Sequence, residues 1–359
     1  MPTADSPLQK SHTLAEILSQ PEVWLSALQE AQSSPAFRSA VEQASSRREW
    51  LFLGCGTSFY LAEAAAATWT LLTNESARAL PASEPLLFPD LARLRAPGLQ
   101  AVVISRSGHT SEAIRVAQIL ARDYKVPALG ITCTSGSPLA QTCDLTIEIP
   151  AADEKSTVMT RSFSSMLLAL QHLAASCAAD PRTILEAAAA VSAQLTSEMQ
   201  GFNRRIEAFV ADREFKDYVF LAQGPFYAVA REASLKVTEM SCSYGQTYHT
   251  LEFRHGPKAI VAPETCLTFF LSESGYEPEC ETLFEMKELG GTIITVCNRA
   301  SEAVRRSSDL VLELGAAAPE ISLLAPFVVP AQLLGFHTGT KKGLDPDHPR
   351  HLSRVVILD

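Results

Sequence analysis

The segment REASLKVTEM, from Arg231 to Met240, places Glu232, Lys236 and Glu239 four and three residues apart, the spacing that stacks side chains on one face of a helix. Beside an anchored sugar, Glu239 can carry a proton between neighbouring carbons while Lys236 stabilises the oxygen of the developing enolate. The same spacing also describes a surface ion pair of little energetic worth. The two readings part on whether the chain holds a substrate alongside.

Two segments have the composition to do so. In LFLGCGTSFYLAEAAAATW an apolar run stops at Gly54, turns through Cys55, Gly56, Thr57 and Ser58, and passes without a polar spacer into an alanine-rich helix. Such a junction aims several backbone N–H groups and two hydroxyls at one spot. The helix end there also favours negative charge, and phosphate is the commonest occupant. The second segment, Ser105-Arg106-Ser107-Gly108-His109-Thr110-Ser111, follows the run AVVI and opens another helix. Its hydroxyls and flexible glycine read as a second anion cradle, or as ordinary helix caps. Neither G-x-G-x-x-G nor G-x-x-x-x-G-K-[ST] occurs, so dinucleotide and P-loop sites are not indicated.

Further polar clusters flank these. Glu154 to Ser162, including Thr157, suits a ligand-closing loop, and equally a plain loop with a helix cap. His255, pressed between Arg254 and the Gly256-Pro257 turn, is not expected in a regular core. The stretch from Lys341 to Arg350 ends a helix with lysines and glycine, as dipole and C-cap preferences favour. Lys342 within it can also form a Schiff base with an open-chain sugar carbonyl.

The elements that must position these residues follow an α/β pattern: short strands rich in branched residues alternate with long helices, which predicts a parallel sheet covered on both faces. Strands are expected near residues 50–54, 101–105, 128–133 and 144–149. Helices are expected over 58–73 and 111–124, with a long helical region over 161–209. The pattern then restarts. Phe52-Leu53-Gly54 is echoed by Phe220-Leu221-Ala222-Gln223-Gly224, and Ser105-Arg106-Ser107-Gly108 by Ser272-Glu273-Ser274-Gly275, at nearly one offset. The chain reads as an internal duplication joined near Val210–Asp217. Its copies are unequal, because the second lacks the Cys-Gly-Thr-Ser turn and follows its serine echo with Tyr276-Glu277-Pro278-Glu279, where a phosphate would meet carboxylate. One copy should hold the anion and the other supply different chemistry.

With 359 residues, 47% of them hydrophobic, the chain can bury one large or two ordinary cores. A formal charge of -10, from 30 basic and 40 acidic residues, argues against a nucleic-acid surface and leaves any anionic ligand to be caught by local geometry. The first residues carry no secretory signal pattern, and the late apolar run from Leu323 to Phe336 is short for a bilayer and holds two prolines. A cytoplasmic protein without membrane attachment is expected. The eight cysteines form no C-x-x-C pair and read as buried reduced thiols. The histidines lack ligand spacing, so neither metal nor cofactor is indicated.

Taken in order, Gly-Cys-Gly-Thr-Ser at 54–58, Ser-x-Ser-Gly-x-Thr at 105–110, the Thr160–Phe163 segment, Glu-x-x-Leu-Lys-x-x-Glu at 232–239, His-Gly-Pro at 255–257 and Lys-Gly-x-Asp-x-Asp-x-Pro-Arg at 342–350 resemble the sugar isomerase (SIS) superfamily. The resemblance is to the isomerase half of glucosamine-6-phosphate synthase and its deaminase and deglycase relatives. It implies two tandem SIS subdomains, each a flavodoxin-like doubly wound parallel sheet. Residues 1–45 would be an N-terminal helical extension, 46–210 the phosphosugar-binding subdomain, and 211–359 the second subdomain with an active-site tail. By that similarity Ser105, Ser107 and Thr110, with Ser58 nearby, hold a sugar phosphate, while Cys55, Gly56, Thr57, Arg106 and Thr157 line the site. Glu239 shuttles a proton between C1 and C2, Lys236 assists at the C2 oxygen, His255 opens the ring and Lys342 traps or polarises the carbonyl. In the family this histidine comes from a second subunit, which implies a homodimer with a shared active site.

The departures from the synthase pattern bear on the substrate. Arg106 and His109 stand where synthases usually show Gln and Glu, Met159 where a substrate-contacting Ser is usual, and Lys341 replaces a small residue. The chain begins Met1-Pro2 without the glutaminase domain and its cysteine nucleophile, so ammonia from glutamine is not expected by that route. The resemblance therefore implies aldose–ketose isomerisation of an amino-sugar phosphate, such as glucosamine 6-phosphate, or of its ketose, with or without release of ammonia or an amine. A fructosamine-6-phosphate deglycase and a non-catalytic sugar-phosphate sensor are the alternatives.

Overall fold

The computed structural model describes residues 11–178 and 180–358. Among them, ten strands form two five-stranded parallel sheets. The first contains β1 (Glu49–Gly54), β2 (Ser76–Pro81), β3 (Leu99–Ile104), β4 (Ala128–Thr132) and β5 (Leu145–Glu148), in the order β2-β1-β3-β4-β5. The second contains β6 (Asp217–Ala222), β7 (Gly245–His249), β8 (Thr265–Phe270), β9 (Thr292–Cys297) and β10 (Leu310–Glu313), in the order β10-β9-β8-β6-β7. Read from its other edge, the second order is the first repeated, so the duplication extends to topology. This is the flavodoxin-like doubly wound order, whose winding reverses between the first and third strands. Turns leaving β1 and β3 part to opposite faces, and the crevice between them is where such folds take ligands.

Strands β1, β3 and β8 are mostly apolar and, Glu49 apart, buried along their whole length because helices cover both faces of the sheet. Strands β2 (SARALP) and β7 (GQTYH) carry no such run and lie half-buried at sheet edges. The long helical region is two helices, Arg161–Cys177 and Pro181–Ala211. Pro181 breaks it: without an N–H it cannot continue a helix, and it sits in the first turn of the next.

The N-terminal segment is helical, with His12–Leu18, Gln20–Ser33 and Pro35–Ala44. It is built into the core: Trp24 is fully buried, and its indole N–H donates to Ser164 Oγ at 2.8 Å. Asp347, beyond the last helix, caps the first one by accepting from His12 N (2.9 Å), Thr13 N (2.7 Å) and Ser11 Oγ (2.9 Å). The last helix, Leu324–Lys341, has the length and apolarity of a membrane span when its leading turn is counted, yet lies almost wholly inside the protein. It packs on Phe226–Ser241 and Pro181–Ala211. Gly339 makes the first contact possible, since a Cβ there would stand 2.1 Å from the Met240 carbonyl oxygen. All eight cysteines are free, but they are not all buried: Cys242 is exposed at the left-handed C-cap of Phe226–Ser241.

Close approach also fixes the end of β1. A Cβ at Gly54 would lie 2.3 Å from the Ser58 carbonyl oxygen, in the first turn of the helix Thr57–Thr73. Gly54→Ala should therefore cost about 3 kcal/mol in urea unfolding. Gly201→Ala, in an open helical position, should be neutral or stabilise by up to about 1 kcal/mol. Equal effects of the two substitutions would contradict this account of the turn.

Candidate functional site

At the β1/β3 crevice lies a pocket of about 210 Å³. Its floor comes from the turn after β1, with Cys55, Gly56, Thr57 and Ser58, and from the turn after β3, with Ser105, Arg106, Ser107 and Thr110. The helices that begin at these turns, Thr57–Thr73 and Ser111–Ile119, have no side-chain cap. The capping reading of these hydroxyls thus does not hold. Instead the loop holds them in place: Gly108 N–H donates to Ser105 Oγ (3.1 Å), Ser105 Oγ donates to Thr110 Oγ1 (3.2 Å), and His109 N–H donates to Ser107 Oγ (3.1 Å). Burial pushes the Cys55 thiol up to about 12, so it lines the pocket as a neutral group and not as a nucleophile.

The facing wall comes from the other half of the chain. Glu239 lines the same pocket from the helix Phe226–Ser241. Behind it, Lys236 is fully buried and donates to Glu239 Oε2 (2.5 Å) and Thr57 Oγ1 (3.0 Å), with Glu232 Oε1 at 3.2 Å. Thr57 Oγ1 in turn donates to Glu232 Oε1 at 3.3 Å. Arg231 pairs with Glu63 across the same boundary at 2.5 Å. The surface reading of the three residues fails, since Glu232 and Lys236 are inaccessible. Burial opposes the Lys236 charge, and the two glutamates more than offset it, so its pKa stands above the ordinary lysine value.

A roof closes over the pocket. The Arg106 guanidinium, itself buried, lies 3.5 Å from Glu154 and donates to the carbonyls of Ser156 (3.4 Å), Thr157 (3.0 Å) and Arg354 (3.1 Å). Two buried carboxylates hold the loop of residues 154–160. Glu154 accepts from Thr160 N (2.6 Å), Thr160 Oγ1 (2.5 Å) and Ser162 Oγ. Glu16, from the first helix, accepts from Lys155 N (2.5 Å), Ser156 N (3.2 Å) and Ser156 Oγ (2.5 Å). Thr157 and Met159 of this loop face the pocket, joined by Leu352, Ser353, Arg354 and Val356 of the C-terminal tail. The tail is pinned where Ser111 N–H donates to the Val356 carbonyl (3.2 Å), Leu358 N–H donates to Ser111 Oγ (2.9 Å), and Arg354 pairs with Asp153.

The structure thus gathers ten of the residues singled out from sequence around one pocket, with Lys236 directly behind it. Two lie elsewhere. His255 is exposed in the turn between β7 and β8. Lys342 donates to Ser241 O (3.2 Å) and Ser243 Oγ (2.7 Å), outside the pocket, and burial lowers its pKa. Arg354 is the tail cation that reaches the pocket. Sequence reasoning missed it because it follows the Pro349-Arg350 motif in a stretch without periodicity. In the second half, Glu320 fills the matching cradle with the chain's own carboxylate, accepting from Glu273 N (2.5 Å), Ser274 N (3.1 Å) and Ser274 Oγ (2.5 Å). Among the described residues no three His, Cys, Asp or Glu side chains gather as a metal ligand set.

Residues 44–176 and 214–338 match the family model of the SIS domain. The chain belongs to the SIS domain family. Among curated relatives, the isomerizing glutamine–fructose-6-phosphate aminotransferase of Aliivibrio fischeri is 26% identical over 320 residues, 86% of this chain and 51% of that protein. The chain therefore spans about half the length of the curated relatives it matches. Tagatose-6-phosphate ketose/aldose isomerase from Escherichia coli shares the SIS fold, with a TM-score of 0.85 at 22% identity, covering 97% of this chain and 99% of that one. Glucosamine-6-phosphate deaminase from Thermotoga maritima is 28% identical with a TM-score of 0.74, covering 97% of this chain and all of that one.

The buried triad gives this SIS protein a pH signature. Burial pushes the Glu232 carboxyl up to about 8, against the opposing pull of Lys236 and Thr57, from an ordinary value of 4.5. Between those values the folded state holds a proton that the unfolded chain has released, so this group subtracts stability as pH rises. Glu232→Gln should lose less stability than the wild type between pH 5 and pH 8, by on the order of 2 kcal/mol. Parallel pH dependences in urea unfolding would show that Glu232 is already ionised in the fold.

Proposed function

We propose that the pocket binds the phosphate of an amino-sugar phosphate on the Ser105, Ser107, Thr110 and Ser58 hydroxyls and that Glu239 isomerises the attached sugar. The observation that carries this reading is the carboxylate of Glu239 lining the same pocket as both hydroxyl-bearing turns. With the phosphate at the helix ends, an open-chain sugar extends toward Glu239. The base removes the C2 proton of a 2-amino aldose and returns it to C1, leaving an imine at C2. Water adds to that carbon, ammonia departs, and a ketose phosphate remains. Lys236, charged and directly behind Glu239, holds that carboxylate in place for the transfer. The Thermotoga deaminase supports this reaction class, and both the tagatose-6-phosphate isomerase and the aminotransferase support a phosphosugar ligand.

Lys342 receives no carbonyl-trapping role here, because its Nζ is engaged by Ser241 and Ser243. Arg354 lines the pocket instead, and a guanidinium stays protonated and forms no Schiff base. His255, exposed and away from its own pocket, is proposed to serve the pocket of a second subunit in a homodimer.

Glu239→Gln should lower kcat about 1000-fold and leave sugar-phosphate binding within a factor of two. Ser107→Ala should weaken binding about tenfold. The assay follows ammonia and ketose from glucosamine 6-phosphate, galactosamine 6-phosphate and fructosamine phosphates. Silence across that panel with tight binding intact would favour a sugar-phosphate sensor. For the shared site, mixing inactive His255→Ala and Glu239→Gln proteins should restore about one quarter of wild-type activity through hybrid dimers. No recovery would assign each pocket to a single chain.

A further inference from the structure

Among the described residues, the charges around the first pocket leave one cation in reserve. Arg106, Glu239 and Arg354 carry the charges of its lining, with Lys236 behind it. Arg106 is buried, and its guanidinium is spent on Glu154 and on the carbonyls of Ser156, Thr157 and Arg354. Lys236 is spent on Glu239, Glu232 and Thr57. The hydroxyls of the two turns are neutral. Each helix end beside them supplies only about half an elementary charge, and the first N–H of the helix Ser111–Ile119 is already taken by the Val356 carbonyl. A phosphate monoester carries a charge of about −1.5 to −2 at pH 7, and it would enter a pocket that already holds the carboxylate of Glu239.

Arg354 is placed to answer that charge. Its own carbonyl accepts from Arg106 of the serine loop at 3.1 Å, and Val356 accepts from Ser111 N–H at 3.2 Å, so the tail runs across the loop of residues 105–111. Its guanidinium engages one group among the described residues, Asp153, in a pair whose side chains are 39% and 40% exposed. Such a pair is worth little, and Asp153 released from it stays solvated. A guanidinium holds its N–H donors in a fork that matches phosphate oxygens. We propose that Arg354 is the counter-charge of the substrate phosphate: it leaves Asp153 when the sugar phosphate enters and closes on the phosphate from the tail. The inference rests on the phosphate site proposed above, and adds to it the residue through which ligand binding engages the tail.

Calorimetric titration of the full chain with glucitol 6-phosphate, which has no carbonyl to react, tests this. Arg354→Gln should bind it at least tenfold more weakly than the wild type. Asp153→Asn breaks the same ion pair but keeps the guanidinium, and should bind as tightly as the wild type or up to about threefold tighter. Ser107→Ala, which reports on the phosphate site itself, should bind about tenfold more weakly. Wild-type affinity in Arg354→Gln beside a weakened Ser107→Ala would overturn the role of Arg354 and leave the phosphate site standing. An equal loss in Asp153→Asn and Arg354→Gln would overturn it too, by making Arg354 a latch for the tail. Binding untouched by Ser107→Ala would overturn both assignments.

Discussion

An ammonium sealed from water is costly unless its donors are met, and removing a partner strands the charge. Lys236 satisfies its donors with Glu239 and Glu232 from its own helix and Thr57 from the other half of the chain. That requirement positions the site. It ties the helix Phe226–Ser241 to the turn after β1, and so holds the carboxylate of Glu239 over the hydroxyl-lined crevice. The close approach at Gly339 presses the last helix on the same helix from behind, leaving little freedom for that carboxylate to drift.

Where the sequence was legible, one strong physical signal acted alone. The apolar runs of β1 and β3 ending in glycine and serine declared buried strands with hydroxyl-bearing turns at their ends, and the repeated strand-and-serine pattern declared the duplication. Edge strands β2 and β7 were silent, because half-buried polar strands owe their existence to the neighbour they pair with. The break at Pro181 was readable from its missing N–H and went unread inside a strong helical pattern. At the site, the floor was legible as motifs on neighbouring residues. The roof loop was legible as a polar cluster, but its anchors were not, because Glu16 and Arg354 reach Glu154 and Arg106 only after the chain ends have folded back. Lys342 illustrates the converse: motif order placed a lysine near the chemistry, and the helix end turned its amine to Ser241 and Ser243.

The two halves also show how a duplicated fold divides its labour. Both keep the doubly wound order and both keep a serine loop after the third strand. In the first, the loop's hydroxyls face an open pocket, whereas in the second Glu320 supplies the anion from within. Self-filling occupies that loop's donors, while the first helix of the second half contributes Glu239, Lys236 and Glu232 to the boundary with the other half.

The roof contacts close into a circuit. The loop of residues 154–160 is held by Glu16 of the first helix, that helix by Asp347, and the chain beyond Asp347 returns through Arg354 to Arg106, which grips the loop again. The circuit's links at the loop are buried and those at the tail are half-exposed, so it is firmest where Glu16 holds Ser156. Loop, front helix and tail are thereby one mechanical unit, and a change at any of the three reaches the pocket wall through the other two.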